Sequence, residues 1–425
     1  MLATEKLAID GGQPAITEPL PWGGHGVELI DDREIEAVAA VLRSKKLFRY
    51  HEGSQCELFE KEMCHWLGVK HAVIVNSGTS ALICGLAGLQ VGPGDEVIVP
   101  GYTYIATAAA VVDVGAVPVI AEIDGSLGLD PADFRAKITR RTKAVIPVHM
   151  QGVPCRLDAI RAVAREHTIA VLEDCCQGVG SSYRGKPTGA ESNGGAWSLN
   201  YFKAITTSEG GVFFTNDSDA FERALFQSEP GLPMWLKDRA TWRSAPFSRA
   251  GYRGNEIMAA IARVQLTKLP QVLEHCRGRK RLLLELLSEP RCYVRQIVDD
   301  PEGENGFSFA MIARTAQLAK RMAEALAAEG LSLGTAYNDG FPDRHIYAYW
   351  DSILNKTGSS PAGYPWKDPA YKGSVQYSKD MCPKTLDILG RALRLGIHMK
   401  TRESHIRQIA AAINKVDAAL GAMAE

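Results

Sequence analysis

Trp197-Ser198-Leu199-Asn200-Tyr201-Phe202-Lys203-Ala204-Ile205-Thr206-Thr207-Ser208-Glu209-Gly210-Gly211 sets a lysine between an aromatic strand end and a double-glycine turn. A lysine after two aromatics is ordinarily a solvated amine whose stem covers apolar surface. The chain around it argues for more. Asp174, twenty-nine residues earlier, ends the apolar run Ile169-Ala170-Val171-Leu172-Glu173 and opens Cys175-Cys176-Gln177. Further back, Val73-Ile74-Val75 runs into Asn76-Ser77-Gly78-Thr79-Ser80-Ala81-Leu82. These are members of a longer series. Short β-branched runs at 72–76, 96–99, 118–122, 143–148, 169–173, 195–199 and 211–215 alternate with helical patterns near 79–90, 104–114, 131–138, 157–167 and 218–227. Such alternation predicts an α/β fold with a mainly parallel, doubly wound sheet, because parallel neighbours need a crossover. Ligands of such sheets collect at the carboxyl ends of the strands. Thr79, Tyr104, Asp174, Ser198 and Lys203 all fall at or just beyond predicted strand ends.

An amine, a carboxylate ending a buried strand and a small-residue turn opening a helix are the three parts that a pyridoxal phosphate site needs. The lysine captures the aldehyde as a Schiff base, the carboxylate pairs the ring nitrogen, and N–H groups at the helix start hold the phosphate. A dinucleotide fold shows similar alternation, but no G-x-G-x-x-G follows any strand and G-x-x-x-x-G-K-[ST] is absent. Neither a nicotinamide nor an ATP site is indicated.

With these segments in view, the chain resembles the fold-type I sugar and cyclitol aminotransferases of the DegT family. That family carries S-x-x-x-x-K ending in G-E-G-G, E-D-x-x-Q, S-G-T-x-A-L and P-x-x-T-aromatic-x-A-T. All four stand here in family order, between about Leu7 and about Leu269. The resemblance implies a large domain that binds pyridoxal 5'-phosphate and a smaller C-terminal α+β domain. It assigns Lys203 and Asp174 to catalysis, Gln177 to the ring's phenolic oxygen, Tyr104 to stacking on the ring, and Gly78, Thr79, Ser80 and Ser198 to the phosphate. His149, Asn200, Arg253 and His345 are candidates for substrate contacts. A homodimer with active sites shared across the interface is also implied.

Three departures from the family pattern stand out. G-E-G-G is Ser208-Glu209-Gly210-Gly211 here. The family's N-Y before an A/N-E pair, which reaches the neighbouring subunit's phosphate, is replaced by Gly251-Tyr252-Arg253-Gly254-Asn255-Glu256, so Arg253 or Asn255 would have to serve. E-D-x-x-Q is followed by Gly178-Val179-Gly180 rather than small-His-Gly.

The rest of the chain bounds the partners. At 425 residues it has length for two or three domains and a large core. Residues 1–15 form an N-terminal arm, 16–275 the large domain and 276–425 the small one. Helices are expected near 35–42, 57–67, 257–269, 271–287, 315–329, 382–389 and 403–420. A strand is expected over 307–312, and turns at 230–233 and through 338–380. Pro270 should kink or restart its helix. The 48 basic and 49 acidic residues nearly cancel, which favours neither nucleic acid nor an anionic membrane. Nine cysteines without a C-x-x-C pair suit reduced thiols in the cytoplasm, and no histidine spacing suggests a metal. The first seven residues lack the apolar core of a signal peptide. The apolar stretches 72–91 and 104–123 are interrupted by Asn76, Asp113 and Pro118 and suit buried strand-helix pairs rather than membrane spans.

The expected activity is amino transfer from glutamate or glutamine to a keto-sugar or keto-cyclitol, in antibiotic or glycan biosynthesis. Decarboxylation, oxidation or dehydration on the same cofactor are alternatives. Sugar dehydratases of the family resemble it with histidine in place of the Schiff-base lysine, so Lys203 argues against that branch. A non-catalytic regulatory protein on this fold would be expected to lose Lys203 or Asp174.

Overall fold

The computed structural model describes residues 6–229, 242–247, 249–338, 340 and 342–421, so the turn expected at 230–233 lies outside the described residues. The β-branched runs form strands β1 (His71–Val75), β2 (Glu96–Pro100), β3 (Val117–Ala121), β4 (Thr142–Val145) and β5 (Ala170–Asp174). A small hairpin follows, β6 (Ser182–Tyr183) with β7 (Lys186–Pro187), then β8 (Gly194–Ser198) and β9 (Gly211–Thr215). Seven of these build one sheet in the order β1-β9-β8-β5-β4-β2-β3. Pairing is parallel from β3 through β8, and β9 runs antiparallel to both its neighbours. The strand expected over 143–148 stops at Val145. Beyond it the Ile146 N–H still donates to the Ile98 carbonyl at 2.9 Å, and a bridge joins Val148 to Asp174.

Both faces of the sheet are covered, which is why its strands read as continuous apolar runs. Successive side chains point to opposite faces. Val73, Val75 and Phe213 pack under α3 (Gly78–Gly88) and α4 (Ala106–Asp113), whereas Ile74, Val212 and Phe214 pack with α2 (Gln55–Leu67). Asp31 and Glu34 form a capping box that starts α1 (Asp32–Ser44). The buried Glu34 then pairs with Lys268 at 2.6 Å.

Lys268 belongs to one long helix, Glu256–Leu286, which runs unbroken through Pro270. The expected restart at that proline does not occur. Pro270 lies on the exposed side of the helix, with the ring turned away from the core. The same helix delivers Leu283 to a separate core around a three-stranded antiparallel sheet of Tyr293–Arg295, Ser308–Ala313 and Ala392–Gly396. The helices Ala316–Ala328 and Glu403–Gly421 close that core. Leu7 of the N-terminal arm and Ile16 just after it are also buried there, and Glu329 accepts the N–H groups of Ala8 and Ala15 at 2.8 Å each.

The turn-rich segment 338–380 packs away from the core of the three-stranded sheet. Its Tyr347, Trp350, Trp366 and Tyr371 join the core of the seven-stranded sheet. Tyr371 donates to Glu96 at 2.9 Å and Tyr377 to the Pro118 carbonyl at 2.6 Å, which ties the segment across β2 and β3. Among the described residues no helix is long and apolar enough to cross a membrane.

Candidate active site

The carboxyl ends of β1, β5 and β8 open onto a cavity of about 430 Å³. Gly78, Thr79, Tyr104, Asp174, Gln177, Ser198, Asn200, Lys203 and His345 all line it. Residues separated by as much as 267 positions thus share one site, as Gly78 and His345 do.

The helix end comes first. Ser77 caps α3 by accepting the Ser80 N–H at 3.0 Å. The N–H groups of Gly78 and Thr79 in the first turn have no intrahelical acceptor, and the helix dipole adds positive character there. Gly78 is required by space. A Cβ at that position would meet Ser198 Cβ at 2.8 Å and Cys176 Sγ at 2.9 Å, filling the concavity between α3 and β8. Ser80, expected to face the phosphate, does not line the cavity. Its hydroxyl donates to Asn76 Oδ1 at 2.6 Å and lies 2.8 Å from Ser77 Oγ, so it is consumed by the cap.

Asp174 is 5% exposed. Its Oδ1 accepts the Cys176 N–H at 3.0 Å and its Oδ2 accepts the Thr107 hydroxyl at 2.8 Å. Among the described residues it forms no ion pair. Gln177 Oε1 accepts the Gln151 N–H at 3.0 Å, which fixes the amide and leaves its NH₂ end as a donor. The Tyr104 ring is exposed and its centroid lies 5.3 Å from that of His345. His345 Nδ1 is 2.7 Å from Asp343 Oδ1.

Lys203 sits on the loop between β8 and β9. Its N–H donates to the Asn200 carbonyl at 2.9 Å, and its own carbonyl accepts the Gly26 N–H at 3.1 Å. The amine makes no hydrogen bond or ion pair to any described residue. Farther along the loop, Ser208 holds φ at 71°, a left-handed value that suits the family's glycine at this place. Asn200 donates to Glu209 at 2.9 Å, and both line the cavity.

Two candidates lie elsewhere. His149 is fully buried beneath the site and lines no part of it. Its Nδ1 accepts the Cys155 N–H at 3.2 Å, and its Nε2 donates to Glu173 at 2.9 Å. Glu173 faces the opposite side of β5 from Asp174, because neighbouring residues of a strand point apart. Burial alone would raise its carboxyl. Hydrogen bonds from His149 and Ser192 and the charge of Arg161 outweigh that and bring it down to about 2. The histidine therefore belongs to a packing network that pins the strand. Arg253 pairs with Glu229 at 3.5 Å and its guanidinium lies over the Phe48 ring, so it also lines no part of the cavity.

Several cavity-lining residues escaped the sequence reading. A second cavity of about 530 Å³ shares Cys176, Gln177, Phe202, Lys203 and His345 with the first, and adds Trp22, His25, Phe307 and His398. His25 stacks on Phe307 with centroids 3.8 Å apart, and its Nε2 is 3.0 Å from the Ile397 carbonyl. Burial holds its pKa down at about 4. The signals available were faint. Ser77 follows the cap pattern before an apolar run, and Thr107 ends the P-x-x-T-aromatic-x-A-T segment that starts at Pro100. Nothing local marked Trp22 or His25.

This geometry agrees with comparison to known proteins. Residues 28–362 match the DegT/DnrJ/EryC1/StrS aminotransferase family, and the chain belongs to it. Members of that family depend on pyridoxal phosphate. GDP-perosamine synthase of Caulobacter vibrioides is 42% identical over 226 residues, 53% of this chain and 59% of that protein. A putative L-glutamine:3-amino-2,3-dideoxy-scyllo-inosose aminotransferase of Streptoalloteichus tenebrarius is 33% identical over 310 residues, 70% of each chain. In structure, 3-amino-5-hydroxybenzoic acid synthase superposes with a TM-score of 0.75 at 25% identity, covering 95% of this chain and 99% of its own.

Proposed function

We propose that this chain is a pyridoxal phosphate-dependent aminotransferase that moves an amino group from glutamate or glutamine to a ketone on a sugar or cyclitol, in antibiotic or glycan biosynthesis. One observation carries the reading. A single cavity holds a buried carboxylate, Asp174, with no cation among the described residues and an amine, Lys203, with no anion among them. A buried carboxylate is costly unless a positive group meets it, and the cofactor's protonated ring nitrogen is such a group. The concavity left by Gly78 and the first turn of α3 suit a phosphate. Gln177 offers a donor for the phenolic oxygen, and Tyr104 an aromatic face for the ring.

When bound, the cofactor supplies an aldehyde that captures amines and a ring that withdraws electrons. Lys203 would hold that aldehyde and, once released, would carry a proton between the donor's α carbon and the cofactor's C4′, because its tether keeps it within reach. Asp174 keeps the ring nitrogen protonated. The acceptor ring fits the second cavity, where Trp22 and Phe202 present exposed aromatic faces and His345 a hydrogen-bonding edge. One relative's name gives L-glutamine as donor and an inosose derivative as acceptor.

A homodimer is part of the proposal. Tyr104 and Phe202 at the cavity, with Tyr201, Ile35, Leu42, Leu47 and Phe48, are large apolar side chains left exposed that a partner subunit would cover. The nine free cysteines suit the cytoplasm. The test is a visible spectrum of the purified protein before and after glutamate or glutamine is added. Conversion of the bound cofactor to its amine form supports transfer. A bound cofactor that ignores every amino donor would move the reading to decarboxylation or oxidation.

A further inference from the structure

Asp174 is held by two groups, and one of them belongs to a chain of hydroxyls. Thr107 is fully buried and donates to Asp174 Oδ2 at 2.8 Å. Its single hydroxyl proton is thereby committed. Thr103, 1% exposed and with its Oγ1 2.7 Å from that of Thr107, must therefore be the donor between the two. The Cys176 N–H holds the other carboxylate oxygen at 3.0 Å. With one donor on each oxygen, the plane of the carboxylate is set from both ends.

The same threonines connect the carboxylate to the far wall of the site. The Thr103 N–H donates to the His345 carbonyl at 2.8 Å, and the Ile105 N–H to the Arg344 carbonyl at 3.1 Å. A β-bridge between Tyr102 and Ile346 completes the strap. The turn bearing both threonines is thus fastened to the segment that carries His345.

Resting on the proposed cofactor, we propose that Thr107, backed by Thr103, is a positioning residue for Asp174. It orients the carboxylate toward the ring nitrogen and does not touch the reacting atoms itself. A buried threonine could instead serve packing alone, so the discriminating variant is one that keeps shape and removes the hydroxyl.

The experiment titrates pyridoxal phosphate into wild-type, T107V, T107S and T103V apo-proteins. It then records how the visible absorbance of each loaded protein depends on pH. T107V leaves Asp174 Oδ2 without its donor and is expected to weaken cofactor affinity about tenfold, the scale of one lost hydrogen bond to a buried charged group. Its absorbance should also titrate at a different pH from the wild type. T107S should restore both readouts to within about twofold of wild type, and T103V should fall between. Should T107V fail to fold, T103V carries the test, because Thr103 makes no contact with Asp174. Wild-type affinity and an unchanged pH profile in T107V and T103V would overturn the inference while leaving the cofactor reading intact. T107S failing as badly as T107V would overturn it too, since packing alone would then explain the position. A wild-type protein that binds no pyridoxal phosphate would remove the cofactor reading itself, and this inference with it.

Discussion

The floor of the cavity and its far wall are built in different ways. Asp174, Ser198 and the Gly78-Thr79 turn stand directly at strand ends, each placed by the element it terminates. His345 reaches the same cavity from a turn-rich segment more than a hundred residues beyond the large-domain sheet, held by Thr103, Ile105 and the Tyr102 bridge. The floor is a property of the sheet, while the wall is a property of packing across it. That difference separates chemistry common to any bound amine from selection of a particular acceptor.

Substitutions at the floor should therefore damage every step, and those at the wall only some. Lys203→Ala removes the group that holds the aldehyde and carries the proton, so amino transfer should fall by about 10⁴-fold or more. Steady-state rates with any donor and acceptor pair would check this, and activity within tenfold of wild type would end the assignment. Asp174→Ala should cost about a hundredfold in transfer and weaken cofactor retention through gel filtration. At the wall, His345→Ala should raise KM for the acceptor about tenfold while the half-reaction with glutamate or glutamine stays within about twofold. Equal loss in both half-reactions would erase the distinction between the two regions.

Smaller effects test the loops that join floor to wall. His25 lies between the lysine loop and the small domain, with its pKa held down at about 4 by burial against an ordinary 6.5. As pH drops below 6.5 the unfolded chain gains a proton that the folded chain refuses. Stability should therefore be full above about 6.5 and decline toward pH 4, and the thermal midpoint of His25→Gln should depend less on pH across that window. Ser208→Gly relieves the left-handed φ of 71° and should leave the folded state more stable by up to about 1 kcal/mol, less the added freedom of glycine in the unfolded chain. A drop in melting temperature would show that this serine side chain is needed where it stands.

Much of the floor was legible beforehand because its cause is local. A β-branched run stopping at Asp174, or an apolar helix opening after Ser77-Gly78-Thr79, is visible within ten residues. The same local logic failed where side-chain contacts and packing, rather than the strand or turn pattern, decided the outcome. His149 also ends an apolar run, yet Cys155 and Glu173 draw it into a buried network beneath β5. Ser80 sits in the right turn, but Asn76 and Ser77 consume its hydroxyl. Pro270 should break a helix by the chemistry of its own backbone, and an exposed position with core on the other side lets the helix continue. In each case a side-chain contact or a packing direction that the residue's own type does not specify decided the outcome.

The amino-acid sequence alone determined the alternation of strands and helices, the family, and the lysine and aspartate on which the proposed chemistry rests. Apolar periodicity and turn residues act over a few positions, within reach of inspection. Tertiary structure alone decided that Thr107 and Cys176 grip the two oxygens of Asp174, that His25 and Trp22 line a second chamber, and that the 338–380 segment lies across β2 and β3 rather than on the core of the three-stranded sheet. Apart from the bond between Cys176 and Asp174, those contacts join residues tens to hundreds of positions apart, and burial of shared apolar surface, which no short stretch of sequence encodes, is what brings them together.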